Sequence, residues 1–360
     1  MMNNFYAVIM AGGGGTRLWP LSTKAHPKQM LKIIQGHSLF QIAVDRLEGL
    51  FTPDQVFIVT VEDQLKELSA QAPNLPSSNF LIEPMPRGTA SVVGLAAVHL
   101  LRADQNAVMA VLTADHVIRN IPRFHDLLRK ARDLAEQGYL ITLGIEPSYA
   151  ATGYGYIQAA EQMGSTDAYL VEKFTEKPEK EVAEEFLQAG SYYWNSGMFI
   201  WRAERILSEF ARQMPDVYDK LMAISSHLGM SDADQFVRRI WPEVEKQTID
   251  YGIMENAGEV IVLPARDLDW EDVGSWDSMF DLLDADEKGN IVRSCRDVLI
   301  DSENLLVFGD DPDKLVAAIG LEDLIVVNCK NSLLICRKGD SQRVKEIIDQ
   351  LKDNNLDSYL

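Results

Sequence analysis

The chain is poor in cysteine and in positive charge. Its cysteines are odd in number, lie in the last quarter and do not stand at the spacing of a zinc site: Cys295, Cys329 and Cys336. A disulfide framework is therefore excluded, and a reducing compartment is expected. Lys and Arg number 34 against 54 Asp and Glu, which gives a formal net charge of −20. Because phosphate backbones and anionic lipid surfaces repel such a chain, we expect neither a nucleic-acid nor a membrane partner.

A long apolar run is also missing. The N-terminal run Phe5–Met10 has no basic segment before it and is too short for a signal peptide or a membrane span. The sequence therefore predicts a soluble, cytoplasmic protein. Its 46% hydrophobic and 24% charged residues are ordinary for a globular fold. At roughly 150 residues per domain, the length predicts about two domains.

The first half of the chain alternates short apolar runs with amphipathic stretches, which is typical of an α/β fold. The apolar runs predict strands at Tyr6–Met10, Val56–Thr60, Phe80–Glu83, Val108–Thr113 and Leu140–Gly144. These runs are apolar throughout rather than alternating, as expected for strands of a mainly parallel sheet that is covered on both faces. Ligands of such sheets bind at the carboxyl ends of the strands, so the residues just after each strand are the candidates for function.

The pattern changes twice further along. From about Ala151 it predicts longer, partly antiparallel strands followed by helices, so the sheet is expected to be mixed. From Gly289 it predicts short strands, compatible with the rungs of a short β-helix, and a terminal helix with Val344, Ile348 and Leu351 on one face. We place a boundary near residue 288, between a domain at 1–288 and a small β-rich domain at 289–360.

The strongest local motif follows the first strand directly and reads MAGGGGTRLWP, residues 10–20. Four consecutive glycines let the backbone turn tightly and aim several N–H groups at one point, which suits phosphate oxygens. A flexible turn is the plain alternative. Arg17 and Lys28 favour the phosphate interpretation, because two cations so close to an anion nest are unusual in a chain this acidic. The motif is neither a P-loop nor a dinucleotide fingerprint.

Two aspartates have ordinary structural explanations when each is taken alone. Asp115 comes directly after the fourth predicted strand, and Asp272 lies in the segment WEDVGSW, residues 270–276. Taken alone, Asp115 would more often be a helix N-cap and Asp272 a turn or cap residue.

The motifs together resemble the sugar-nucleotide pyrophosphorylases, and within that family the mannose-1-phosphate guanylyltransferases. The resemblance rests on segments that occur in the family order: GGGGTRLWPLS (12–22), PKQML (27–31), EP (83–84), RGTA (87–90), TADH (113–116), GYGYI (153–157), FTEKP (174–178), WNSGMF (194–199), IDYGIME (249–255) and WEDVGSW (270–276). One departure is Thr23, where the family usually has Arg; whether Lys24 replaces that charge stays open. The resemblance implies a Rossmann-like nucleotidyltransferase domain and, for the assembly, a homodimer.

It also implies roles for residues. The catalytic cations would be Arg17 and Lys28 on the triphosphate and Lys177 on the sugar phosphate, and Asp115 and Asp272 would hold Mg²⁺. The residues implied for nucleotide binding are Ala11, Gly12, Gly13, Gly15, Thr16, Arg17, Arg87 and Gly88. The residues implied for sugar binding are Gly155, Glu176 and Asn195. Without the resemblance, Glu176 and Lys177 would be an exposed charged pair that opens an acidic helix, and Arg87 a surface arginine. Asp250 and Glu255 receive no role.

The expected reaction transfers GMP from GTP to α-D-mannose 1-phosphate and releases pyrophosphate. Both reactants are polyanions, so positioning, cations and Mg²⁺ suffice without a covalent enzyme nucleophile. Two alternatives stay open. One is the same chemistry on another sugar 1-phosphate, such as a manno-heptose, or with another nucleotide. The other is a non-catalytic regulatory subunit that binds the sugar nucleotide.

Overall fold

The strands and helices follow from a computed structural model that describes residues 4–24, 26–164 and 166–360. The strands are β1 Phe5–Met10, β2 Val56–Val61, β3 Phe80–Glu83, β4 Val108–Thr113, β5 His116–Ile118, β6 Leu140–Ile145, β7 Tyr156–Gln162, β8 Tyr169–Thr175, β9 Tyr192–Arg202, β10 Val260–Pro264, β11 Trp270–Asp272, β12 Ile291–Arg293, β13 Arg296–Ile300, β14 Leu306–Gly309, β15 Leu315–Ile319, β16 Leu324–Cys329 and β17 Ser332–Arg337. The helices are α1 Leu39–Asp45, α2 Glu62–Gln71, α3 Thr89–Ala103, α4 Ile121–Ala135, α5 Lys180–Ala189, α6 Ala203–Gln213, α7 Pro215–His227, α8 Ala233–Ile240, α9 Ile249–Gly252, α10 Met279–Leu282 and α11 Val344–Asp353. None of the described helices is both long and apolar enough to cross a bilayer.

The chain forms two compact units, each built from separated segments. The sheet unit contains the residues up to Gly12, Val44–Thr113 and Ile118–Asp269. The β-helix unit contains Gly13–Ala43, Ala114–Val117 and Trp270–Leu360. The compact units therefore interleave along the chain, whereas the predicted boundary near residue 288 divides it once.

The sheet unit is built on a mixed sheet of nine strands in the order β3-β2-β1-β4-β9-β6-β10-β8-β7. Strands β3, β2, β1 and β4 are parallel, and β9 runs antiparallel to both β4 and β6. Met10 pairs with Val59 and with Thr113, so the carboxyl ends of β1, β2 and β4 lie level. The predicted α/β fold with a mixed sheet is therefore confirmed. The prediction succeeded because strands that are buried on both faces appear in the sequence as continuous apolar runs.

The first five predicted strands are confirmed, with ends shifted by at most one residue. The sequence did not predict β5 and β11, which pair with each other. Three-residue strands are too short to show a period of two, so only their tertiary partner identifies them. This miss matters because β5 and β11 carry or adjoin the candidate metal ligands.

The β-helix unit confirms the predicted short β-helix. Strands β12, β14 and β16 stack in parallel, with Leu306 paired to both Ile291 and Ile325, and β13 stacks on β15. The interior between the two stacks is filled by buried apolar side chains, among them Leu305, Val307 and Ala318. The rungs bury their apolar faces against neighbouring rungs and against the core that contains Trp19 and Trp276, which is why the short strands are individually so apolar.

The segment that follows the glycine run belongs to the same hydrophobic core as the β-helix. The members of this core come from both ends of the chain: Leu18, Trp19, Ile33, Leu39, Val117, Val273, Trp276, Met279, Leu282, Ile291, Leu306, Phe308, Ile325, Val327, Cys329, Leu334, Val344 and Ile348. The Trp276 indole N–H donates to the Trp19 carbonyl at 2.9 Å, and the Trp19 indole N–H donates to the Tyr359 carbonyl at 2.7 Å. Burial of Leu18 and Trp19 therefore depends on residues near the other end of the chain. The local sequence pattern does not reveal this long-range packing.

Candidate active site

The glycine run changes from buried to open along its length. Ala11 is buried, its N–H donates to the Val59 carbonyl at 2.8 Å, and its carbonyl accepts from the Thr60 hydroxyl at 3.1 Å. At residue 12 a β-carbon would lie 2.7 Å from Glu83 Oε1, so any larger residue there would displace this carboxylate. The Ala11 N–H is therefore already used in a hydrogen bond within the sheet. The candidate anion nest consists of the residues after Gly12.

Within the β-helix unit the next residues are exposed. Gly13 and Gly14 have no described heavy atom within 4 Å of where a β-carbon would be. Gly15 has a φ of +36° and leads into the 3₁₀-helix Thr16–Leu18, which carries the exposed Arg17. Open backbone beside a guanidinium is an arrangement that suits phosphate oxygens.

Lys28 lies between the two candidate metal ligands. Its Nζ is 2.6 Å from Asp115 Oδ2 and 4.0 Å from Asp272 Oδ1, and it donates to the Val273 carbonyl at 3.1 Å. The pairing of β5 with β11 produces this arrangement, extended by a hydrogen bond from the Val273 N–H to the Asp115 carbonyl at 3.3 Å. Lys28 comes from the 3₁₀-helix Lys28–Met30. Three residues that are far apart in sequence thus form one charged cluster.

The cluster is ionised. Burial opposes the charge of Asp115, but the Lys28 ammonium holds the pKa of that carboxyl well below its usual range. Burial likewise opposes the charge of Lys28, but Asp115 and Asp272 raise the pKa of its ammonium. The Trp270 indole N–H faces His116 Nδ1 at 3.2 Å, so that nitrogen is an acceptor, and His116 Nε2 lies 3.8 Å from a carboxylate oxygen of each aspartate. His116 is therefore a local hydrogen-bonding residue of the cluster.

The donor set fits a magnesium ion that also binds substrate phosphates. Among residues 4–24, 26–164 and 166–360, no three His, Cys, Asp or Glu side chains come together as a metal centre. Mg²⁺ typically takes one or two carboxylates and completes its shell with waters and phosphate oxygens. The pair Asp115 and Asp272 supplies that number of carboxylates.

The sheet unit brings together the three residues that the resemblance implies for sugar binding. Glu176 follows β8, and its Oε2 occupies the place that a β-carbon on Gly155 would need. The Gly155 carbonyl accepts from the Asn195 N–H at 2.7 Å. Asn195 lies on β9, which pairs with β7. Gly155 is buried, whereas Glu176 and Asn195 are only partly buried, so these two side chains line an accessible surface.

Lys177 forms an ion pair with its neighbour Glu176, and its side chain is 54% exposed. Its φ of +44° lies in the left-handed region, which non-glycine residues adopt at a cost of about 1 kcal/mol or more. Lys177 therefore combines a strained backbone with an accessible ammonium beside the Glu176 carboxylate.

Arg87 and Gly88 are engaged within the sheet unit. The Arg87 guanidinium donates to the Pro242 carbonyl, and its own carbonyl accepts from the Gln247 N–H at 3.0 Å. Gly88 has a φ of +89°, and a β-carbon there would collide with the Gln247 backbone. In this arrangement both residues hold the segment around Gln247. Lys24, the candidate substitute for the family arginine, lies at the surface 3.4 Å from Asp357.

Sequence reasoning gave no role to two carboxylates that stand out in the structure. Glu83 is buried, its Oε2 has no described hydrogen-bond partner, and burial raises its pKa to about 7 although the Arg87 backbone N–H opposes the shift. Asp250 accepts from Asn195 Nδ2 at 2.7 Å. Both lie in family-like segments, EP and IDYGIME, but only the fold shows what surrounds them.

An open glycine loop, a pair of carboxylates bridged by a lysine, and a mixed α/β sheet are together characteristic of a nucleotidyltransferase. The Nucleotidyl transferase family model matches residues 6–289, and the MannoseP isomerase/GMP-like beta-helix domain model matches residues 295–351.

Known relatives narrow this class to one family. The chain is 39% identical to the mannose-1-phosphate guanylyltransferases of Klebsiella pneumoniae and Escherichia coli over 98% of its length and 75% of theirs. It also resembles a crystal structure described as a mannose-1-phosphate geranyltransferase from Thermus thermophilus, with a TM-score of 0.87, 30% identity and coverage of 97% of this chain and 99% of that one. The chain therefore belongs to the mannose-1-phosphate guanylyltransferase family and is an enzyme.

Proposed function

We propose that the protein transfers GMP from GTP to α-D-mannose 1-phosphate, releasing pyrophosphate and forming GDP-mannose with the help of Mg²⁺. The observation that carries the proposal is the ionised cluster of Asp115, Lys28 and Asp272, which belongs to the same compact unit as the open loop Gly13–Arg17. The names of the relatives supply the guanylyl group and the mannose 1-phosphate.

The residues of the β-helix unit serve the triphosphate. Asp115 and Asp272 would hold the metal ion, which supplies charge neutralisation at the phosphates when it is bound. The N–H groups of the glycine loop and Thr16, together with Arg17, bind the phosphate oxygens. Lys28 stays protonated because of its two carboxylate neighbours, so it can stabilise the charge that develops on the leaving pyrophosphate.

The residues of the sheet unit serve the acceptor. Glu176 accepts hydrogen bonds from sugar hydroxyls, Asn195 takes part through its amide, and Gly155 leaves room for the Glu176 carboxylate. The exposed Lys177 binds the sugar phosphate. That phosphate is already ionised at neutral pH, so the in-line attack on the α-phosphate requires positioning rather than a general base.

We also propose that the protein is a cytoplasmic homodimer. The dimer has a candidate surface in the β-helix unit, where strands β13 and β15 pair in parallel. These strands carry exposed apolar side chains at Val298, Ile300, Leu315 and Ile319. A contiguous exposed apolar patch of this kind is typical of a protein interface.

Pyrophosphate release from a panel of four nucleoside triphosphates and several sugar 1-phosphates tests the reaction. We expect turnover with GTP and α-D-mannose 1-phosphate to exceed every other pair. A higher kcat/KM for a manno-heptose 1-phosphate or another nucleotide would replace the proposed substrate and leave the chemistry in place. No pyrophosphate from any pair would contradict the proposed reaction itself.

A further inference from the structure

Asp250 lies in the first turn of the short helix α9. The Thr248 hydroxyl caps this turn by accepting the Tyr251 N–H. Asp250 is only partly buried, and its Oδ1 accepts a hydrogen bond from Asn195 Nδ2 at 2.7 Å. Asp250, to which the sequence motifs assign no role, is therefore hydrogen-bonded directly to Asn195, the asparagine of the proposed sugar site.

The orientation of the Asn195 amide is determined by its surroundings. Its Oδ1 accepts from the Gly197 N–H at 3.0 Å, and the Thr142 hydroxyl lies 3.5 Å away. Since a backbone N–H can only donate, the oxygen must face Gly197, and the NH₂ group must face Asp250. Asn195 therefore holds the Asp250 carboxylate in one orientation.

The arrangement is electrostatically unfavourable without a ligand. Burial and the charge of Glu176 raise the pKa of Asp250 to about 6, although Asn195 and Lys177 oppose the shift. Burial and Glu176 also raise the pKa of Glu255. Carboxylates placed together in this way destabilise the folded chain, and such placement is more frequent at functional sites than elsewhere.

We infer that Asp250 is a specificity-determining residue of the sugar site, where its carboxylate accepts a hydrogen bond from one ring hydroxyl while Glu176 accepts from a neighbouring hydroxyl. The two acceptors, with the Asn195 amide as donor and orienting group, select a sugar 1-phosphate with a free vicinal diol. This inference rests on the proposed function, because it names a carboxylate that recognises a ring hydroxyl of the acceptor sugar.

The test compares Asp250→Asn with the wild-type enzyme and with Asp219→Asn, an exposed acid on α7. Asparagine keeps an acceptor for Asn195 and removes the charge. We expect kcat/KM for mannose 1-phosphate to fall 10- to 100-fold, roughly as for the loss of a hydrogen bond to a charged group, with the dissociation constant of GTP unchanged within about twofold. The Asp219→Asn control should match the wild type.

A series of monodeoxy sugar 1-phosphates gives the decisive readout. Removing the hydroxyl that donates to Asp250 should lower kcat/KM strongly in the wild type and little further in Asp250→Asn. Each of the other deoxy sugars should lower kcat/KM by the same factor in both enzymes. At about pH 8 the melting temperature of Asp250→Asn should exceed that of the wild type, a gain that a purely structural carboxylate would not produce.

The outcomes separate this inference from the proposed reaction. If the wild type turns over mannose 1-phosphate and Asp250→Asn is equally active, or if every deoxy sugar is affected equally in both enzymes, the role of Asp250 is wrong and the reaction stands. If the wild type releases no pyrophosphate with any sugar 1-phosphate, both are wrong.

Discussion

At the scale of single residues, the cluster of Asp115, Lys28 and Asp272 combines two acids with one base in a partly buried place. The ammonium neutralises the carboxylates in the absence of a ligand, and removing one member leaves the others uncompensated. The cluster is therefore both a structural element and the proposed centre of catalysis, so variants must be isosteric to separate the two.

Asp115→Asn and Asp272→Asn should each lower kcat at least about a hundredfold, the loss typical of removing one strong electrostatic stabiliser. The circular dichroism spectrum should be unchanged, and the exposed Asp284→Asn should behave as the wild type. EDTA should abolish activity, and added Mg²⁺ should restore it. Near-normal turnover in both variants, or full activity in EDTA, would exclude the metal assignment.

Lys177→Ala should raise the KM for the sugar 1-phosphate while the KM for GTP stays within about twofold, because its ammonium is exposed beside Glu176. Lys28→Met, which keeps the length of the side chain and removes the charge, should instead lower turnover at saturating sugar phosphate. Steady-state kinetics with each substrate varied in turn separates the two effects, and Lys180→Ala on α5 is a matched exposed control. A change confined to the GTP KM in Lys177→Ala would reverse the assignment.

Glu83 makes the stability of the folded chain depend on pH. Its pKa is about 7 in the folded chain and 4.5 as the ordinary value, so the folded state binds the proton more tightly. The contribution of Glu83 is therefore fully present below about pH 4.5, is lost as the pH rises through about 7, and amounts to about 3 kcal/mol.

Glu83→Gln should remove this dependence. Urea unfolding should show little difference from the wild type at about pH 4.5 and a higher free energy of unfolding for the variant at about pH 8. The exposed Glu48→Gln serves as the control and should follow the wild type at both values. A variant that is destabilised equally at both pH values would show that the carboxylate is an ordinary structural group.

At the scale of elements, the segment from Gly13 to Met30 depends on the C-terminal part of its own unit. Trp19 lies two residues after Arg17, and its indole N–H is bonded to the Tyr359 carbonyl. Helix α11 supplies Val344 and Ile348 to the core that covers Leu18 and Trp19. The C-terminal segment therefore orients the cation proposed to bind GTP.

Trp19→Phe should lower kcat/KM for GTP about tenfold and the free energy of unfolding by about 1 kcal/mol, the typical value of one buried hydrogen bond. Its matched control is Trp201→Phe, since the Trp201 indole N–H is buried without a described partner. The control makes the same substitution without losing a hydrogen bond, so it should leave the GTP kinetics unchanged. Equal kinetics in the two variants would show that the contact with Tyr359 does not position the loop.

At the scale of the whole molecule, a truncation after residue 288 tests the division into units. Sequence alone predicts that the remaining chain keeps nucleotide binding, because every motif is intact. The structure predicts the opposite, because the cut removes Ile291, Phe308 and Ile325 from the core shared with Trp19 and Trp276. We expect loss of GTP binding by calorimetry and rapid proteolysis between residues 13 and 43. A truncated chain that binds GTP with wild-type affinity would contradict this.

The proposed dimer is tested on the full chain. Light scattering should give twice the chain mass of 40.4 kDa, and Ile319→Asp should give the monomer, because it places a charge on the apolar face of β13 and β15. Met230→Asp, a well-exposed position outside the β-helix unit, should remain dimeric. A monomeric wild type would refute the dimer without affecting the catalytic proposal.

The residue pattern alone was enough to predict the sheet and to single out the glycine run with Arg17 and Lys28 as a candidate phosphate site. Continuous apolar runs predicted β1 to β4, because strands buried on both faces need no alternation. The glycine run was found because phosphate oxygens suit open backbone at a strand end. Asp115 and Asp272 were assigned to a metal ion only through the family resemblance, because either aspartate alone is more often a cap or turn residue.

Which of these residues meet depends on the three-dimensional packing of the chain. The three-residue strands β5 and β11 carry no periodic signal, yet their pairing brings Asp115 and Asp272 to Lys28. The role that we infer for Asp250 depends on its contact with Asn195, 55 positions away. Long-range packing also joined the residues after the glycine run to the β-helix, because the apolar side chains of Leu18 and Trp19 are buried only when the two ends of the chain come together.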